Sequence, residues 1–267
     1  MQIAKMKLLY PDMVLKEDMN NKDNIILENY HGNAETLILP PDIKEIGHEC
    51  FMNNDRIKHV KLLSKDYVQL GSGAFANSGI CSIETVCNCM EIYSLAFSNC
   101  KHFEQIDLSN CNTLGYGTFM ESGLTELDIR DTIKYPNVLR LCDRAEHLKK
   151  VRVGKQIKCI SERMFNGCKS LTDVELPEGL KKISSYSFFG TGIKEIVLPA
   201  SLEVLYTYAF RNSALEHIII KSDSLMLYNE MFDGIQNLRR ITTSRYMARK
   251  LKEINSRFNS IQYNYIN

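Results

Sequence analysis

Residues 160–182 read I-S-E-R-M-F-N-G-C-K-S-L-T-D-V-E-L-P-E-G-L-K-K, and the stretches on either side repeat the pattern. Val174 and Leu176 alternate with Asp173 and Glu175, the period of two expected of a short strand with one buried face. Pro177 cannot donate to a sheet ladder and so predicts the end of that strand, as Pro199 does one unit later. Phe165 lies in a segment whose counterparts are rich in small residues (SGAF, SLAF, TYAF), which predicts a tight helical turn.

Phenylalanine carries the pattern along the chain. Phe51, Phe75, Phe97, Phe119, Phe165, Phe188, Phe210 and Phe232 stand 24, 22, 22, 46, 23, 22 and 22 residues apart. The step of 46 reads as two units with one Phe missing, and Cys142 sits at its midpoint. Five residues before each Phe comes Ile46, Leu70, Ile92, Leu114, Ile160, Ile183, Leu205 or Leu227. Five or six after it comes Ile57, Ile80, Phe103, Leu124, Leu171, Ile193, Leu215 or Leu238. A further apolar column follows three residues on, from Val60 to Ile241, and Leu148 and Val151 fill both columns in the irregular unit. One such unit cannot bury its own apolar residues, whereas stacked units join them into a continuous core. The expected fold is therefore an α/β repeat solenoid: a right-handed superhelix with one parallel sheet of short strands and short helical turns opposite. It divides into an N-terminal cap (1–33), nine coils (34–243) and a C-terminal capping helix and tail (244–267). In that tail Tyr246, Leu251, Ile254 and Phe258 fall near helical spacing, on the face expected to seal the core.

The units I-G-H-E-C-F from Ile46, L-G-S-G-A-F from Leu70 and F-N-G-C-K-S-L from Phe165 resemble the BspA-like leucine-rich repeat, I-G-x-x-A-F-x-x-C-x-x-L-x-x-V-x-L-P. The resemblance spans about residues 34 to 243. It implies a curved parallel-sheet solenoid and a bacterial surface protein engaged in adhesion or binding. Composition adds bounds. The net charge of the 267 residues is +1, so nothing global points to nucleic acid or an acidic membrane. No apolar run reaches the length of a membrane span. The N-terminus lacks the apolar core of a signal peptide, and nine cysteines without framework spacing point to free thiols in a reducing compartment. On these grounds the expected location is cytoplasmic; the family resemblance implies a secreted or surface location instead.

No motif announces chemistry. Cys81, Cys87 and Cys89 form C-x5-C-x-C, which lacks the paired C-x(2–4)-C spacing of a structural zinc site, so no metal and no cofactor is expected. Cys50, Cys100 and Cys168 fall in inward columns and are expected to act as small apolar groups. His31, His48, His59, His102, His147 and His217 fall in different columns, with no carboxylate and nucleophile sharing a repeat position, so no triad is expected. Gly71 and Gly115, in G-S-G and G-Y-G, read as turns because the rest of a dinucleotide fingerprint is missing. The cluster Arg239, Arg240, Arg245, Arg249, Lys250, Lys252 and Arg257 reads as a solvated cap helix rather than a nucleic-acid site.

The expected function is a non-enzymatic module that binds a protein or peptide on the outward strand positions. A bacterial adhesin fragment is the alternative, and a thiol enzyme using Cys142 or the Cys81–Cys89 cluster is a remote one. Charge along those positions arrives in bands, and the sharpest change of sign brings Glu126, Asp128 and Arg130 beside Lys149, Lys150 and Arg152, then Asp173 and Glu175. These eight residues are the candidate binding site. They border the irregular coil Asp131–His147, where a break in the pattern is itself a candidate signal.

Overall fold

The computed structural model describes residues 3–19, 21, 24–129, 131, 133, 138–228 and 230–266. The chain forms two compact units, Met1–Leu124 with Thr132–Tyr135, and Thr125–Asp131 with Pro136–Asn267. Each is a stack of β-solenoid turns. Arg130, and Pro136 and Asn137 of the irregular coil, lie outside the described residues.

The first unit opens with helix α1 (Ile3–Leu9), which buries Met6, and the strands β1 (Met13–Glu17) and β2 (Ile25–Tyr30) paired antiparallel. From there on all pairing is parallel. Strands β3 (Thr36–Leu39), β5 (His59–Leu62) and β7 (Ser82–Thr85) form one row; β4 (Ile43–Ile46), β6 (Tyr67–Leu70), β8 (Cys89–Ile92) and β9 (Cys111–Leu114) continue from β2 in another. The first row is the sheet expected from the period of two. The second, formed by the residues leading into the Ile or Leu five before each Phe, was not anticipated. Residues 104–107, expected to continue the first row, form no strand. Asp107 explains part of this: its carboxylate accepts from the Ser109 N–H at 2.8 Å and the Ser109 hydroxyl at 3.0 Å, a local turn that competes with the ladder.

In the second unit β10 (Glu126–Ile129), β11 (Lys150–Val153) and β13 (Asp173–Glu175) form one sheet, and β12 (Cys159–Ile160), β14 (Lys182–Ile183) and β16 (Val204–Leu205) another. Strands β15 (Glu195–Leu198), β17 (His217–Ile220), β18 (Arg240–Thr243) and β19 (Gln262–Tyr265) complete a third. Strand β15 stops at Leu198 immediately before Pro199, whose carbonyl then accepts from Leu202 N–H to start a turn. Helix α2 (Arg245–Ile254) is capped by the Ser244 hydroxyl, which accepts from Met247 N–H at 3.1 Å. Met247, Ala248 and Leu251 are its buried residues. Tyr246, expected on the sealing face, is instead exposed with the Lys250 ammonium 4.7 Å over its ring, and Met247 takes the inward place. Phe258, in the following 3-10 turn, meets the Phe232 ring edge-on at 5.7 Å.

The Phe column is the core of both units. All eight rings are buried, and four neighbouring pairs stack closely: Phe51–Phe75 at 5.0 Å, Phe75–Phe97 at 5.4 Å, Phe165–Phe188 at 5.5 Å and Phe188–Phe210 at 5.2 Å. Each such pair contributes about 0.5–1.5 kcal/mol beyond its buried area. Cys142, in the same column, is fully buried too.

The turn around each Phe is tight, with i→i−3 bonds such as Ala76 N–H to Gly73 O and Ser78 N–H to Phe75 O. It does not propagate as a helix, because residues two before and two after the Phe have positive φ. Gly73 and Asn77 flank Phe75, Leu95 and Asn99 flank Phe97, and Tyr186 and Gly190 flank Phe188, with φ between 57° and 66°. Between these two left-handed residues every second N–H faces the next coil. Gly73, Phe75 and Asn77 donate to the carbonyls of Ser94, Ala96 and Ser98, each at 2.9 Å. The turns are thus laced from coil to coil as the strands are, which satisfies backbone groups that a buried turn would otherwise leave unpaired.

Candidate binding face

Strands β10, β11 and β13 bring six of the eight expected site residues together within the second unit. The register pairs Glu126 with Lys150 and Lys150 with Asp173, and along the strands Asp128 with Arg152 and Arg152 with Glu175. Two rows of alternating sign result, acidic–basic–acidic, with the apolar row Leu127–Val151–Val174 between them pointing to the core. Lys149 precedes β11 and is exposed.

The cations lean one way. Lys150 Nζ lies 2.6 Å from Asp173 and 3.5 Å from Glu175, and Arg152 Nε lies 3.3 Å from Glu175. The hydrogen bond to Asp173 holds the Lys150 pKa above the usual lysine value, with a smaller contribution from the Asp173 charge. These contacts run from β11 to its acidic neighbour β13. Exposed pairs of this kind are screened by solvent, so they set the pattern of the face more than its stability.

On the β15–β17–β18 sheet the structure corrects one expectation. His217, which its column places among the outward strand positions and for which no triad is expected, is buried between strands. Its Nδ1 lies 2.6 Å from Glu195 Oε2 and its Nε2 2.8 Å from Thr242 Oγ1. Three neighbouring coils supply the three groups, so spacing within any one coil could not reveal them. The line spans the sheet as a polar ladder over three strands.

The thiols behave as packing groups. All nine are free. Burial pushes the Cys50, Cys142 and Cys168 thiols well above their ordinary range, and Cys100 and Cys111 up to about 11 and about 12. Cys89 Sγ accepts from Asn112 Nδ2 at 3.0 Å, while Cys87 is fully buried. Among the described residues no three His, Cys, Asp or Glu side chains gather into a group able to hold a metal ion, and no helix is long and apolar enough to cross a membrane. In the basic C-terminal segment three cations are already placed over rings: Arg245 on Tyr265 at 4.8 Å, Lys250 on Tyr246 at 4.7 Å and Lys252 on Tyr263 at 4.5 Å.

The sequence profile of the BspA-type leucine-rich repeat region matches residues 28–137 and 141–263, in six copies. The chain belongs to that family. Solved leucine-rich repeat structures share the fold. A T. pallidum leucine-rich repeat protein is 20% identical with a TM-score of 0.58, over 67% of this chain and 86% of that one. A leucine-rich cell surface protein from Faecalibacterium prausnitzii is 19% identical with a TM-score of 0.54, over 86% of this chain and 68% of that one. A leucine-rich repeat protein from Bacteroides ovatus is 14% identical with a TM-score of 0.50, over 96% and 98%. No curated protein sequence matches this BspA-type chain. BspA-type repeats typically serve binding or adhesion rather than catalysis.

Proposed function

We propose that this BspA-type chain is a non-enzymatic module that binds a protein or peptide on the β10–β11–β13 face. One observation carries the reading: the two parallel rows Glu126–Lys150–Asp173 and Asp128–Arg152–Glu175, which present alternating charge on rigid strands. Such a face orients a partner of complementary banding and speeds its approach more than it deepens final affinity. Rigid presentation on a solenoid sheet also removes the ordering cost that a loop-borne site carries.

Adhesion at a bacterial surface is the same chemistry in another setting. It draws on the family resemblance and on the cell surface protein among the solved neighbours. Thiol catalysis loses support from the burial of Cys142, because a nucleophilic cysteine needs access and a lowered pKa.

The test replaces Lys149, Lys150 and Arg152 together by Glu. Melting temperature is expected to stay within a few degrees, as for other surface changes. Association with partners captured on the intact chain is expected to slow, most at low salt where screening is weakest. Unchanged association rates would overturn the assignment of this face.

A further inference from the structure

The row β3–β5–β7 ends at β7 although the chain runs on into a further coil of the same unit. Residues 104–107 stand where the next strand belongs and do not form one. An open cleft of about 840 Å³ lies there, lined by Ser82, Ile83 and Glu84 on one side and by Glu104, Ile106 and Asp107 on the other. A second cavity of about 340 Å³ shares Ile83, Glu84, Ile106 and Asp107 and reaches Leu62 and Met90.

Three features of this cleft belong to a missing strand. Ser82 N–H donates to Lys58 O, so Ser82 and Glu84 turn their backbone groups to β5, and Ile83 and Thr85 turn theirs to the cleft. The Ile83 and Thr85 N–H groups find no acceptor among the described residues. Ile83 and Ile106 also occupy the column that Val60, Leu127, Val151 and Ile218 seal elsewhere, yet both are partly exposed, and Val86 beside them is 53% exposed. An edge with free N–H and C=O groups above uncovered apolar side chains is a template for another strand.

We propose that this cleft receives an extended segment of a partner protein, added to the edge of β7. Main-chain hydrogen bonds to Ile83 and Thr85 would hold it, as in other strand-addition interfaces. The strand periodicity then places every second side chain of the guest against Ile83 and Ile106, which calls for Val- or Ile-sized residues there. The intervening side chains meet Glu84 and Asp107; Lys61, 3.1 Å from Glu84, offsets only one of these two charges, so a guest with basic residues at these positions fits best. The site lies in the first unit and is independent of the β10–β11–β13 face.

The test is site-resolved amide exchange on the full chain, with acetyl-(Lys-Val)4-amide as probe. In the free chain the Ile83 and Thr85 amides are expected to exchange much faster than those of Val60 and Leu62, which point into the β5–β7 ladder. Saturating probe is expected to slow the Ile83 and Thr85 amides by about tenfold or more, the scale of a net hydrogen bond or so. A probe N-methylated at alternate amides, and one with Glu in place of Lys, are expected to bind about tenfold or more weakly. Protection of both amides in the free monomer would mean that residues 104–107 close the sheet themselves. Protection that tracks dimer formation without probe would mean that a second copy fills the edge. Either result, equal binding of the N-methylated probe, or no response at Ile83 and Thr85 at millimolar probe overturns the proposal.

Discussion

The Cys168 thiol donates to the carbonyl oxygen of Cys142, one coil earlier, at 3.0 Å. Cys100 makes the same bond to Phe75 O at 3.0 Å. Elsewhere in that column Thr191 and Ser213 turn back instead, donating to Phe188 O and Phe210 O of their own coils at 3.0 and 2.6 Å. The longer thiol side chain spans to the preceding coil where the hydroxyl cannot. Cysteine in this column is therefore a hydrogen-bond donor between coils, and the proton it keeps serves packing.

Thiol reactivity follows. With a bulky thiol reagent near neutral pH, native protein is expected to react slowly at Cys50, Cys100 and Cys168, all three buried, and denatured protein to release all nine thiols. Mass mapping of labelled sites checks this; fast native labelling of those three would contradict their inward placement.

Stability is expected to fall on the alkaline side. Burial raises Cys100 from 9.0 to about 11 and Cys111 from 9.0 to about 12. Below pH 9 both states keep these protons and nothing changes. Between pH 9 and the folded values the unfolded chain has released protons that the folded chain still binds, so each unit of pH favours unfolding. Denaturant midpoints measured at about pH 8 and about pH 10 should show the loss, and a Cys100→Ser, Cys111→Ala double variant should show less of it. A midpoint that holds or rises toward pH 10 would rule this linkage out.

Phe165→Ala and Phe188→Ala are each expected to cost about 3–5 kcal/mol, because each removes a fully buried ring from a stacked pair. Chemical denaturation measures it directly. A cost under about 1 kcal/mol for both would be the signature of surface positions and incompatible with the column.

Much of the fold was legible because the Phe column and its flanking Ile and Leu repeat as residue types. The second row of strands was not, since Lys182–Ile183 and Val204–Leu205 are too short to show alternation. The left-handed residues that bound the turns were hidden as well: Leu95 and Tyr186 carry positive φ with no glycine to announce it. The gap at 104–107 was misread as a strand because Phe103 and Ile106 keep the apolar spacing, while Asp107 engages Ser109 in a local turn that spacing does not show. For the candidate face, the pairing of strands put the charge bands where the columns foretold. The bias of Lys150 toward Asp173, and the gathering of Glu195, His217 and Thr242, depend on side-chain geometry between coils, which spacing along one coil does not encode.

The lacing of the turns limits how such a chain can change length. A single inserted or deleted residue between the two positive-φ positions would shift one relative to the other and misalign the bonds to both neighbouring coils. Around Phe75, Phe97 and Phe188 the interval is held at four residues, and the variation from 22 to 24 residues per repeat falls outside it, partly in the five or six residues that lead to the next column. Duplication of an entire coil, by contrast, copies donor and acceptor together and leaves every junction intact. Lineages of this repeat are thus expected to differ by whole coils and to accumulate small insertions only beyond the aromatic turn.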